Sequence, residues 1–180
     1  MTIQTWIDPR VDRSKWPTGE WDGEPDKVQW TDEATGMTCL AKRHQRSGHW
    51  CGYVGVGQDH PLHGKGYYDP DVDVHGGLTY AAMCMEGPPA ETVCHIPAPG
   101  TPAHLYWFGF DCHHAWDYSP LDKVYEAERG YPFTVGSDAH YRTLEFVKRQ
   151  CASLAAQLAG LSASEGDEQL NTPKCVDTSN

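Results

Sequence analysis

One apolar run constrains the fold of this chain more than any other stretch. From Leu105 to Phe110, five apolar residues and one glycine follow one another without a polar break, which is typical of a strand buried on both faces. Asp111, Cys112 and two histidines come directly after the run, and Asp117 follows shortly afterwards. Because a rigid strand end positions side chains better than a free loop does, we expect a functional site here.

Strand signals around this run predict an α+β fold with a mostly antiparallel sheet. Four further strands are predicted at 27–31, 37–45, 49–57 and 72–81. Gly36 suits a hairpin loop between the first two, and β-branched and aromatic residues are mixed in the third. Thirteen prolines and eighteen glycines predict long structured loops. These include a proline-rich excursion at 86–103 and an irregular stretch at 113–136. The interior glycines of the 49–57 strand indicate either a packed helix or the close approach of a ligand.

A single helix near the C-terminus is predicted to cover one face of this sheet. Apolar residues recur at helical spacing from Tyr141 to Leu158. Ser137 or Asp138 can cap the helix at its start, and Gly160 can end it. The first 26 residues are polar, with three tryptophans that anchor an extended arm. The expected parts are an N-terminal arm at 1–26, a single domain at 27–160 and a flexible acidic tail at 161–180.

Composition argues against several classes of protein. The net charge of −11 disfavours binding to nucleic-acid phosphates, which requires a positive face. The basic cluster at 42–46 is better explained as a solvated strand end. No apolar run approaches the roughly 18 residues of a membrane-spanning helix, and the N-terminal residues lack the features of a signal peptide. We therefore expect a cytoplasmic protein whose seven cysteines are reduced thiols.

The candidate site combines imidazoles with carboxylates. Asp111, His114 and Asp117 are spaced three apart, so a helical turn after the strand brings them to one face. With His75 from another strand they form a candidate divalent metal site with open positions for water. A metal-free alternative uses His75 or His114 as a general base that an aspartate orients. In a third alternative the same residues only stabilise a turn.

Residues near this centre are candidates for binding a substrate. The N–H groups of two consecutive glycines can form an anion hole, and aromatic side chains, including Tyr67 and Tyr68, can form the wall of a pocket. Cys112 is a candidate nucleophile, although strand alternation turns it away from its neighbours and buried thiols are usually inert. The candidate substrate-binding residues are Gly76, Gly77, Thr79, Tyr80, His60, His63 and Trp116.

Two segments of the sequence match a known pattern. VHGGLTYA at 74–81 and FGFDCHHAWD at 108–117 lie between GYVGVGQDHPLHG and YRTLEFVKRQCASLAAQL. Together they resemble an uncharacterised family of bacteriophage and bacterial proteins, and the resemblance covers roughly residues 50 to 159 without the proline-rich excursion. It implies a small phage-borne protein that acts in the host cytoplasm. It implies no particular activity.

Three functions fit these observations. The first is a small hydrolase that acts on a phosphorylated or nucleotide-like molecule, with His75, Asp111, His114 and Asp117 as its polar centre. The second is a binding protein without turnover, which sequesters a host defence signalling molecule or blocks a host protein through aromatic and glycine-rich loops. The third is a virion or assembly component. The expected partners are therefore a small-molecule ligand or a host protein, and neither a membrane nor nucleic acid.

Overall fold

A six-stranded antiparallel sheet forms the centre of the protein, which confirms the predicted α+β fold. The computed structural model of the chain describes residues 3–131 and 139–170, with side chains described as far as Ser162. The elements are β1 (Gln4–Trp6), β2 (Lys27–Thr31), β3 (Thr38–Arg43), β4 (Trp50–Val56), β5 (Tyr80–Met83), β6 (Tyr106–Asp111), β7 (Asp117–Tyr118), α1 (Pro120–Arg129), β8 (His140–Tyr141) and α2 (Leu144–Leu170). The six strands lie in the order β1-β2-β3-β4-β6-β5, and β7 pairs with β8 in a separate parallel ladder.

Strand β6 lies between β4 and β5 and is buried along nearly all of its length. Its side chains alternate between the two faces of the sheet. Phe108 and Phe110 join the core beneath α2, whereas Trp107 joins a smaller cluster on the other face. Helix α2 packs Val147 and Leu154 into the first cluster and contacts β3 and β4. The predicted buried strand and the predicted helical cover are both confirmed.

The interior glycines of β4 and β6 make room for aromatic rings. A Cβ atom at Gly52 would overlap the ring of Phe110 on the neighbouring strand and would come within 2.9 Å of Cys151 Sγ in α2. A Cβ atom at Gly109 would overlap the ring of Tyr53 in the same way. Packing of rings and of the helix therefore accounts for these glycines, and no ligand needs to approach the backbone at these positions.

The proline-rich segment covers part of the second face of the sheet. The buried ammonium group of Lys27 donates hydrogen bonds to the carbonyls of Pro89, Thr92 and Cys94, at 2.5, 2.8 and 2.6 Å. Burial lowers the pKa of Lys27 to about 8. A single side chain of β2 thus attaches three points of the segment to the sheet.

A disulfide closes the same segment, so the prediction of seven reduced thiols is wrong. Cys84 and Cys94 are bonded to each other across ten residues of sequence. The spacing of the cysteines did not reveal this bond, because the prolines predict an excursion from the sheet but do not show that its path brings Cys94 back to Cys84. The free cysteines among the described residues are Cys39, Cys51, Cys112 and Cys151, and Cys175 lies outside the described residues.

The stretch at 113–136, which was predicted to be irregular, contains helix α1. Ser119 caps this helix: its hydroxyl accepts a hydrogen bond from the Asp122 N–H, and the Asp122 carboxylate accepts one from the Ser119 N–H. Pro120 occupies the first turn, where its missing N–H costs nothing. The helix ends at Gly130, which is left-handed. The signal was present in the order Ser-Pro-Leu-Asp, which is a capping box with proline at its first helical position.

Helix α2 begins later and ends later than predicted. Tyr141 belongs to β8 instead, and the helix starts at Leu144 and continues through Gly160 to Leu170. The proposed caps at Ser137 and Asp138 lie outside the described residues. Within the described part of the chain, neither helix is both long and apolar enough to cross a membrane.

The N-terminal residues do more than lie on the surface. Residues of β1 pair antiparallel with β2 and extend the sheet by one strand. Lys42 and Arg43 of the basic cluster are buried and form ion pairs with Asp8 and Glu24 respectively. These two cations therefore neutralise internal carboxylates and add little to the surface charge.

Candidate functional site

His75 lies in a tight turn and not in the strand that the sequence predicted. Gly76 and Gly77 both have positive φ, +68° and +81°. Residues other than glycine rarely adopt this left-handed conformation at two successive positions. The Gly77 N–H donates to the Val74 carbonyl at 2.9 Å, so it cannot serve as an anion-hole donor. The His75 N–H donates to Gln150 Oε1 at 2.9 Å, which fixes the turn against α2.

A second turn brings His114 next to Asp117. The Asp117 N–H donates to the His114 carbonyl at 2.9 Å, and the His114 N–H donates back to Asp117 Oδ2 at 2.9 Å. This closed turn replaces the predicted helical turn after β6. It achieves the same result, since both side chains remain at the end of the strand.

Asp117 is the hub of the site and is only 3% exposed. Its Oδ2 also accepts a hydrogen bond from His75 Nε2 at 2.8 Å, and its Oδ1 accepts one from Arg142 Nε at 2.7 Å. Burial raises the pKa of this carboxyl, but the hydrogen bonds from Arg142, His114 and His75 outweigh burial and lower it below its usual value. Asp117 is therefore an ionised carboxylate at neutral pH.

Three potential metal ligands converge at this point. One nitrogen from each of His75 and His114 and one oxygen of Asp117 all lie within 4.8 Å of one another. His114 Nε2 is buried and has no hydrogen-bond partner among the described residues. The imidazole of His114 packs directly over Gly76, where a Cβ atom would overlap it. Glycine at this position is thus a condition for the two histidines to meet.

Asp111 stands at the edge of this group. Its Oδ1 lies 3.6 Å from His114 Nε2, too far for a hydrogen bond, and accepts a hydrogen bond from the His113 N–H at 3.0 Å. Asp111 is not one of the three converging groups. All four residues were predicted to form one centre, and the structure brings three together with the fourth beside them.

His113 turns away from the site and joins a stack of imidazoles. Its ring lies parallel to that of His49, with centroids 4.6 Å apart, and His49 stacks on His44 at 4.9 Å. Ser47 Oγ lies 2.8 Å from Nδ1 of both His44 and His49. Burial, together with the neighbouring His113 and His44, lowers the pKa of His49 from 6.5 to about 3.

Replacing His49 with phenylalanine is expected to weaken the loss of stability in acid. The stabilisation from neutral His49 is fully present above pH 6.5, the pKa of the unfolded chain, and is lost as the pH falls towards 3. Between pH 7.5 and pH 5.0 the wild type should lose about 2 kcal/mol that the variant does not. Urea unfolding at both pH values measures this difference. His63→Phe, which lies outside the stack, should keep the wild-type dependence of stability on pH. If His49→Phe loses as much stability as the wild type between the two pH values, His49 is not the source of the loss.

The structure does not bring His60 or His63 to this site. The ring of His63 contacts Tyr106, at the start of β6, with centroids 5.4 Å apart. Asp111 is five residues further along the strand, roughly 17 Å away at the usual rise. His60 Nε2 lies 3.0 Å from the Leu158 carbonyl in α2, and its residue lines a separate cavity of about 510 Å³.

The other candidate substrate-binding residues lie in different surroundings. Thr79 precedes β5 directly and donates its N–H to the Gly109 carbonyl of β6. Tyr80 packs edge-on against Tyr53 in the cluster opposite α2. Trp116 is 60% exposed, next to Asp117 in sequence. Of this set, Gly76 and Trp116 adjoin the converging ligands. Tyr67 and Tyr68 pack against each other in their own loop, with the hydroxyl of Tyr67 donating to that of Tyr68.

Cys112 is buried and cannot act as a nucleophile at neutral pH. Burial first, and then the nearby Asp117 and Cys51, raise the pKa of its thiol. A protonated thiol is a poor nucleophile. The strand alternation that disfavoured Cys112 in the sequence agrees with its place in the core beneath α2.

Three residues of the site escaped the sequence analysis. Arg142 binds Asp117, Gln150 binds the His75 backbone, and Phe146 packs edge-on against the His75 ring at 5.2 Å. Two of them lie on α2, one turn apart, and their spacing on one helical face was the available signal. That helix was predicted only to cover one face of the sheet.

Comparison with protein-family models, with curated proteins and with solved structures found no match to the chain.

Proposed function

We propose that the protein is a hydrolase of a phosphorylated small molecule, with a divalent metal ion held by His75, His114 and Asp117. The observation that carries the proposal is the convergence of these three ligand atoms within 4.8 Å, with His114 Nε2 buried and without a hydrogen-bond partner among the residues that the structure describes. Buried polar atoms normally have partners, so one without a partner at a ligand cluster requires an explanation. A metal ion supplies it.

The donor set suits hydrolysis. Two imidazoles and one carboxylate leave coordination positions open for water and substrate. A divalent ion held by these three residues would lower the pKa of a coordinated water into the neutral range. Asp117 is held ionised, and its bond to Arg142 keeps its orientation, as hydrogen bonds to metal-ligating carboxylates commonly do.

In this proposal Asp111 acts as the general base. Its carboxylate lies 3.6 Å from His114 Nε2, so it can accept a proton from a water bound beside that imidazole. The oxygen of that water forms the new bond to phosphorus, and the phosphorus–oxygen bond to the alcohol breaks. The leaving oxygen would take the proton that Asp111 accepted from the water, which yields the free alcohol and inorganic phosphate and restores the Asp111 carboxylate.

Metal binding to the purified chain tests this proposal directly. After removal of metals with a chelator, titration with Zn²⁺ and with Mn²⁺ by calorimetry should show one site per chain for at least one ion. His114→Ala should weaken that affinity by at least about tenfold because it removes a ligand. His113→Ala is the matched control: its ring stacks on His49, so its affinity should stay near that of the wild type.

Two outcomes would overturn the proposal. One is that the wild type binds neither ion, and the other is that folded His114→Ala binds as tightly as His113→Ala. Release of inorganic phosphate from p-nitrophenyl phosphate and from nucleoside monophosphates then tests the hydrolase. Metal binding without phosphate release from any of these would refute catalysis on this substrate class.

A further inference from the structure

We infer that Arg142 and Arg149 recognise the phosphate group of the substrate, which makes a terminal phosphate monoester the substrate class. This inference rests on the proposed function, because it names what the same site binds. Neither arginine was a candidate in the sequence. Both are placed by contacts with residues that build the site.

Arg142 has most of its hydrogen-bonding capacity available. A guanidinium group carries five N–H donors, and Arg142 uses Nε on Asp117 Oδ1 at 2.7 Å. No other side-chain hydrogen bond of Arg142 occurs within 3–131 and 139–162. Its side chain is 23% exposed, so the two terminal nitrogens can reach a ligand. Two parallel N–H groups match two oxygens of a phosphate.

Phe146 orients the Arg142 guanidinium and also contacts a second cation, Arg149. The Arg142 guanidinium lies over the Phe146 ring, 4.9 Å from its centroid, and the Arg149 guanidinium lies 6.0 Å from the same centroid. This ring packs perpendicular to the His75 ring, with centroids 5.2 Å apart. Two guanidinium groups therefore flank an aromatic ring that touches a proposed metal ligand.

The local charge contrasts with the charge of the chain. The whole protein carries −11, and an anion would be repelled from most of its surface. At the site, two arginines and a metal ion would offset the charge of Asp117 and Asp111. A phosphate monoester carries close to two negative charges at neutral pH, so a pair of guanidinium groups complements it.

Binding of inorganic phosphate, measured by calorimetry on metal-loaded and metal-free protein, tests the assignment. Arg142→Lys keeps the positive charge beside Asp117 but removes the paired donors, and phosphate affinity should fall about tenfold. Arg149→Gln should reduce it by roughly threefold to fivefold. Lys148→Gln is the matched control, because it removes the same charge from the neighbouring residue, which pairs with Glu145. That variant should stay within about twofold of the wild type.

The outcomes separate this inference from the proposed metal site. Weaker phosphate binding by Arg142→Lys in both metal-loaded and metal-free protein supports the arginine assignment even if metal content proves irrelevant. Metal content measured on each variant shows whether Asp117 still coordinates. If Arg142→Lys and Arg149→Gln bind phosphate as the wild type does with unchanged metal content, the arginine assignment is refuted while the metal site stands. Equal losses in Lys148→Gln and Arg149→Gln would also refute it, since only general charge would then matter.

Discussion

Replacement of Asp117 by alanine is expected to lower the free energy of unfolding by about 3–5 kcal/mol. The carboxylate is buried and satisfies three donors at once, from His75, Arg142 and the His114 N–H. Without it, the Arg142 guanidinium loses its counter-ion and the turn at His114 loses the bond that closes it. Urea unfolding at pH 7.5, followed by circular dichroism, measures the change.

Asp111→Ala provides the matched control for this prediction. Asp111 ends the same strand, is partly exposed and accepts one N–H from His113. Its removal should cost no more than about 1 kcal/mol. Equal effects of the two alanine variants would show that Asp117 is not the hub of the site.

Replacement of Lys27 by methionine is expected to lower the free energy of unfolding by about 3 kcal/mol and to loosen the proline-rich segment. Methionine fills a similar volume but leaves the carbonyls of Pro89, Thr92 and Cys94 without their donor. Each buried carbonyl left unpaired costs roughly 1–3 kcal/mol, less where water can reach it. Hydrogen exchange should rise across 86–103 and remain unchanged in β3 and β4.

Lys123→Met is the control for Lys27→Met. Lys123 lies on the surface of α1, where it pairs with Glu126 at 2.9 Å, and such exposed pairs contribute little. Its replacement should change the free energy of unfolding by less than about 0.5 kcal/mol. A uniform increase in hydrogen exchange across the whole sheet of Lys27→Met would contradict a role of Lys27 that is confined to the proline-rich segment.

The sheet was largely predictable because local patterns determine it. Strands β2, β4 and β6 coincide with runs that contain β-branched and aromatic residues. Strand β3 lacks such a run, and the hairpin loop with Gly36 before it was its signal. The pattern failed at 72–81, where apolar residues alternate with polar ones before His75. Two consecutive left-handed glycines end that alternation, so only the part from Tyr80 onwards joins the sheet.

The boundaries of the helices depended on balances that a pattern does not show. Glycine inside a helix lowers its stability by roughly 1 kcal/mol relative to alanine. The sequence therefore predicts that the helix ends at Gly160. Strong helix formers precede it, and Leu158, two residues before it, packs into the core. Together they outweigh the cost of the glycine. Helix α1 was missed because Ser119 and Pro120 also favour a turn.

The three converging residues, His75, His114 and Asp117, were all among the predicted candidates. Their arrangement in space was not predictable. Strand alternation alone does not distinguish His113 from His114, because the chain leaves β6 at Asp111 and turns. The vacant space over Gly76 accepts the ring of His114, and the flat face of His49 accepts the ring of His113. Gly76 and His49 lie far from these two histidines in sequence. No local pattern therefore shows which of the two rings enters the site.

The cover on the second face of the sheet is attached in two chemically different ways. One is the covalent link between Cys84 and Cys94, and the other is the ammonium group of Lys27 with its three carbonyl partners. A reducing environment breaks only the first. Glutathione would thus lengthen the loop without detaching it, and Trp107 beneath would stay shielded in reducing and oxidising compartments alike.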